Sequence, residues 1–125
     1  MTMTTSTRRK RPRLTAEFRQ RLTEMRWSLA RTVATTDEEL ATLEAQQPSD
    51  FGEGAATGVV GDLLARLEGR ERHELDEIDA AQRRLEAGVF GVCEGCHRAI
   101  PLARLRAVPT ARRCATCQAR EEAAR

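Results

Sequence analysis

Two Cys-x-x-Cys pairs constrain this chain more than anything else in it. Cys93 and Cys96 form the first, Cys114 and Cys117 the second, and seventeen residues separate them. Each pair turns the backbone so that two sulfurs converge on one point. Two such turns complete a tetrahedron around a metal with bonds of about 2.3 Å. Gly91 and Gly95 suit the tight turns about the first pair. Four thiolates leave no open coordination position, so the spacing predicts one structural zinc ion and no hydrolytic centre. A redox Cys-x-x-Cys stands alone beside a βαβ pattern, which is missing here. An iron–sulfur cluster also takes four thiolates, but the paired spacing favours zinc. His97 could replace Cys96 as a ligand; a surface histidine is the simpler reading. Residues 88–118 are too few to fold on packing alone, so metal binding supplies much of their folding free energy.

The 125 residues suit one ordinary domain. Hydrophobic residues make up 40% of the chain and aromatics only 3%. That mixture favours long amphipathic helices over a thick core, and predicts an elongated molecule. Leu22, Met25, Leu29, Val33, Leu40 and Leu43 form one apolar stripe, with Thr15 as its cap, Phe18 just inside and Thr36 as a weak point. The stripe predicts one helix from Leu14 to about Gln46, about 45 Å long. Trp27, off the stripe, is expected at the junction with the zinc-binding base. A second stripe, Val60, Leu64, Leu67, Leu75, Ile78 and Leu85, predicts a second helix, stopped near Gly88. Gly61 and Gly69 fall inside it. Pro48, Gly52, Gly54 and Gly58 mark a turn between the two.

The expected fold is therefore all-α, mainly a long antiparallel two-helix coiled-coil hairpin. A small four-cysteine zinc finger and a short terminal helix follow it. Residues 1–13 are expected to be a disordered basic tail, 14–87 the hairpin with its tip at about 47–58, and 88–125 the finger and terminal helix. Pairing of the stripes within one chain leaves no obvious seam for a dimer, which predicts a monomer.

Charge is segregated along the chain: net +7 over residues 1–36, −10 over 37–79 and +5 over 80–125. Both ends are basic and the middle is acidic, so a partner's field can orient the molecule. The basic ends, Arg8–Arg13 with Arg104, Arg106, Arg112 and Arg113, admit a nucleic-acid-binding or protein-scaffolding reading. Few aromatics are available for base stacking, and the acidic middle repels phosphate. No apolar stretch approaches the ~20 residues that span a membrane. The N-terminus lacks the apolar run of a signal peptide, so a cytoplasmic, reducing setting is expected. No nucleophile or nucleotide-loop motif stands out, so the chain reads as a non-enzyme.

The run Phe90–Cys96, then Ile100–Leu105 and Val108–Ala111 before Cys114, resembles the DksA/TraR family of bacterial regulators. The preceding hairpin is similar to the family's longer, DksA-like branch. The resemblance implies direct binding to RNA polymerase without sequence-specific DNA recognition. It further implies insertion of the coiled-coil tip into the secondary channel, where acidic residues influence initiation. The family's tip pattern, Asp-x-x-Asp-x-Ala, falls on Asp50, Glu53 and Ala55 when counted back from Cys93 without gaps. Here the second acid is Glu53, flanked by Gly52 and Gly54. Members responding to guanosine tetraphosphate carry a basic face on the second helix. This chain has Arg70 there, but also Glu74 and Glu77, which repel a polyphosphate and speak against the usual alarmone response.

Overall fold

The computed structural model describes residues 2–45 and 58–124, with side chains from residue 14 onward. The described residues form six helices in order: α1 (Thr2–Val33), α2 (Asp37–Ala45), α3 (Gly58–Ala65), α4 (Gly69–Ala87), α5 (Leu102–Ala107) and α6 (Ala115–Ala123). The described residues contain no strand, only an isolated antiparallel bridge between Val92 and Ala99. The all-helical class therefore holds. Two units are distinguishable, Met1–Asp79 and Ala80–Arg125.

In the first unit the apolar stripes form the core. Phe18, Leu22, Leu29 and Ala30 of α1 are buried with Leu43 of α2, Val60, Leu63 and Leu64 of α3, and Leu75 and Ile78 of α4. Full burial of one such Leu contributes about 1.5–3 kcal/mol. Helix α1 packs against α3, and α2 against both. Buried Thr23 satisfies its hydroxyl by donating to the Arg19 carbonyl at 2.8 Å.

Three local expectations differ from the structure. Helix α1 starts at Thr2, so residues 2–13, expected to be disordered, are helical. Arg8 to Arg11 are good helix formers, but the threonines before them and Pro12 after them are not, so local propensity does not by itself account for these turns.

Second, the helix expected over 14–46 breaks at residues 34–36. The reason is a capping box. Thr36 Oγ1 accepts from the Glu39 amide at 3.1 Å. Glu39 Oε1 accepts in return from the amides of Thr35 and Thr36, at 3.1 and 3.3 Å. Thr36, the weak point of the stripe, thus starts a new helix. The chain turns back far enough for Trp27 Nε1 to donate to the Leu43 carbonyl at 3.3 Å. Trp27, expected at the zinc-binding base, instead meets α2, and the Arg31 guanidinium lies 5.4 Å from its ring centre.

Third, the second helix breaks at residues 66–68. Arg66 and Leu67 close the end of α3 with short-range bonds to Leu63 and Leu64. Gly69, expected in a helix interior, has φ +57°. That left-handed conformation suits glycine and redirects the backbone.

Two ion pairs show how these pieces match. Arg26 Nη1 lies 2.8 Å from Asp79 Oδ1, and Arg66 pairs with Glu39. Passing from 26 to 39 advances thirteen residues, and passing from 79 to 66 retreats thirteen. Both pairs therefore fit the count of one antiparallel hairpin, while α1 itself packs chiefly on α3. The Arg66 guanidinium, followed by the Thr35 amide, holds the Glu39 carboxyl down at about 2.

In the second unit α4 ends as the sequence predicts. The Gly88 amide donates to Leu85 O and the Val89 amide to Arg84 O, with Gly88 at φ +75°. These two bonds form a Schellman motif. Ala81, Leu85, Cys93, Ile100, Leu105 and Ala111 are buried here, a small core for 46 residues.

Candidate metal centre

The first cysteine pair sits on a tight reversal. Gly91 adopts φ +81°, and its carbonyl accepts from the Ile100 amide at 2.7 Å. The Cys93 amide donates to Arg98 O at 2.8 Å, and the His97 amide to Cys93 O at 2.9 Å. His97 completes the turn at φ +61°. Its side chain is exposed and lies outside the sulfur cluster. The second pair rides on α6: Cys114 is its N-cap residue, and Cys117 lies in the first turn. The positive end of a helix favours thiolate at Cys114.

All four Sγ atoms lie within 4.8 Å of one another. Tetrahedral bonds of 2.3 Å would set them about 3.8 Å apart, so modest contraction suffices. Cys93 is fully buried, and its Sγ accepts from the amides of Gly95 (3.3 Å), Cys96 (3.5 Å) and Cys114 (3.3 Å). These amides, that of Cys96 foremost, lower its thiol to about 6. The Cys117 backbone amide lowers Cys114. Cys117 goes the other way, to about 12, because the Cys114 and Cys93 sulfurs crowd it. Four thiolates at such range repel one another, and a divalent cation relieves that repulsion. The donor set thus fits zinc.

Gly95 serves differently from the turn expected of it. A Cβ there would stand 3.0 Å from both Cβ and Sγ of Cys117, so the missing side chain lets the two knuckles approach. Sequence reasoning also missed a clamp between them. The Glu94 amide donates to Arg112 O at 2.9 Å. The Glu94 carboxylate lies 3.4 Å from Arg112 Nη1 and 3.9 Å from Arg113 Nη2, while Arg104 Nε donates to Arg113 O at 2.8 Å. Charge was visible at these positions, but nothing in the spacing indicated this pairing.

Residues 88–123 match the model of the prokaryotic dksA/traR C4-type zinc finger. Over 105 residues the chain is 33% identical to the RNA polymerase-binding transcription factor DksA of Caulobacter vibrioides, covering 84% of this chain and 73% of that protein. The chain belongs to the DksA/TraR family. It binds one structural zinc ion, and Cys93, Cys96, Cys114 and Cys117 are the thiolates available to hold it. The zinc supplies charge neutralisation and a fourfold cross-link to a module with little core.

An uncharacterised Aquifex aeolicus protein is 38% identical over 74 residues, 59% of this chain. The chain spans about half of that relative's length (51%). The solved structure of transcription factor DksA2 from Pseudomonas aeruginosa is 30% identical, with a TM-score of 0.42, covering 92% of this chain and 79% of that one. Asp50, Glu53 and Ala55 lie outside the described residues. Among the described residues no helix is long and apolar enough to cross a membrane.

Proposed function

We propose that this protein is a transcription regulator that binds RNA polymerase directly and presents the segment between α2 and α3 to the secondary channel. The observation that carries this reading is the common register of the two ion pairs. The midpoint between Arg26 and Asp79, and again between Glu39 and Arg66, falls in sequence between Gly52 and Glu53. The family's acidic pattern, aligned from Cys93, falls on Asp50, Glu53 and Ala55. Two independent counts, one from contacts and one from motif spacing, thus agree on the apex of an antiparallel pair. Carboxylates at such an apex can approach basic groups or a magnesium ion, which prefers oxygen ligands. The relative from Caulobacter vibrioides is named an RNA polymerase-binding transcription factor, which supports the polymerase-binding part of this reading.

The nucleic-acid reading loses support from the zinc module. Arg104, Arg112 and Arg113 are engaged with Arg113 O and Glu94. Arg106 also has an interaction within the chain. A cytoplasmic, monomeric and non-enzymatic protein is the corresponding expectation.

The experiment is co-purification with bacterial core RNA polymerase, paired with transcription in vitro. The proposal expects stoichiometric association and a change in initiation. Absence of association, with salt-sensitive binding to duplex DNA, would favour the nucleic-acid reading.

A further inference from the structure

We propose that α2 and α3 form one body that swings on a double hinge at residues 34–36 and 66–69. The structure then holds the distal part of the hairpin folded back on α1, and opening straightens both arms. Three observations carry this. First, the breaks face one another: each arm is interrupted once in the described residues, between the Arg26–Asp79 pair and the Glu39–Arg66 pair. Second, the register is the same on both sides of the breaks. The α2–α3 body can therefore rotate as a piece, and the Glu39–Arg66 pair, internal to it, persists in either arrangement. Third, the folded-back arrangement has contacts of its own that opening gives up: the Trp27 indole on the Leu43 carbonyl, and the apolar packing of α3 and α2 on α1.

The hinge chemistry is local. Thr36 caps α2 through its hydroxyl, so the break depends on one side chain backed by Glu39. Gly69 holds the other break at φ +57°, and a Cβ there would meet nothing within 4 Å. Alanine at 69 therefore has room but resists the left-handed backbone, favouring a helix through 66–69. Alanine at 36 removes the cap and favours a helix through 34–36. In the straight arrangement the apolar stripe Leu29, Val33, Leu40 and Leu43 continues along one arm, with Thr36 as its one polar position, which gives the open state a seam. A partner that binds only the straight arrangement shifts the population toward it by its differential affinity. The functional consequence, a hairpin whose reach is stored until polymerase engages it, rests on the proposed function above; the hinge itself does not.

Trp27 is the sole tryptophan and serves as the donor of an internal ruler. A coumarin amino acid replacing exposed Glu44 would be the acceptor, next to Leu43. Folded back, the two lie side by side. In a straight helix the seventeen positions from 27 to 44 place them about 25 Å apart. The full-length zinc-loaded protein is expected to show strong energy transfer. Thr36→Ala with Gly69→Ala is expected to lower that transfer several-fold and to raise helix content by circular dichroism. Weak transfer in the unsubstituted protein, or unchanged transfer in the double variant with its fold intact, would overturn the hinge. Adding saturating core polymerase is expected to lower transfer in the Thr36, Gly69 protein as well. Binding with transfer still strong would defeat straightening on engagement. Failure to bind at all would count against the proposed function, and the variant comparison would still judge the hinge.

Discussion

Gly95 lies so close to Cys117 that a Cβ built on it would stand 3.0 Å from the Cys117 sulfur. The same glycine donates its amide to the Cys93 sulfur at 3.3 Å. One residue without a side chain thus touches a thiolate from each knuckle. Gly95→Ala forces the two apart and is expected to weaken zinc affinity on the order of 10- to 100-fold, the range seen when metal-site support is altered. Competition with a chelator of known affinity measures this. Unaltered affinity would contradict the close approach.

The Glu94 clamp should matter far less. Its carboxylate is 39% exposed and its pairs with Arg112 and Arg113 are long. Exposed pairs of this kind contribute about 0–1 kcal/mol. Glu94→Gln is expected to leave zinc bound and to move the urea midpoint only slightly. Loss of the metal in this variant would show that the clamp, and not the sulfurs, organises the module.

Glu39 sets the pH response of the first unit. Its carboxyl is lowered from 4.5 to about 2 by Arg66 and the Thr35 amide. A depressed carboxyl stabilises the fold above its ordinary value and loses that contribution as protonation proceeds. Stability should therefore fall between about pH 4.5 and 2, not at neutral pH. Carboxyl-carbon NMR titration of Glu39 is expected to give a midpoint well under 4. A midpoint near 4.5 would mean that the Arg66 pair and the capping box are absent in solution.

Under the proposed function, Asp50→Asn with Glu53→Gln removes the two acids that fall on the family's tip pattern and leaves the four cysteines in place. The expected result is retained binding to core polymerase and loss of the effect on initiation in a transcription assay. Full activity in the double variant would remove the apex from the mechanism.

Much of this was legible in the sequence, and the boundary has a physical cause. The zinc site was readable because ligand spacing is a local property: Cys93 to Cys96 and Cys114 to Cys117 fix two turns whatever surrounds them. Gly88 was readable as a helix stop for the same reason. The break at 34–36 carried a signal too, Thr36-Asp37-Glu38-Glu39, which is a capping-box pattern. The stripe running through Val33 and Leu40 outweighed it, because periodicity alone does not reveal where a helix turns back. That turn depends on Trp27 reaching Leu43, a contact across sixteen positions that no local pattern encodes. Gly69 read as a weak helical residue because a lone glycine inside an apolar stripe gives no sign that its φ will be +57°.

The account depends most on one zinc ion held by four sulfurs. Zinc-edge X-ray absorption on the reduced protein, with metal content measured on the same sample, tests this directly. The account predicts one zinc per chain with four sulfur neighbours at about 2.3 Å. Removing the zinc should then unfold residues 88–118 while the helices of the first unit keep most of their helicity. A substoichiometric metal, a nitrogen or oxygen in the first coordination sphere, or a finger unchanged after complete zinc removal would contradict it.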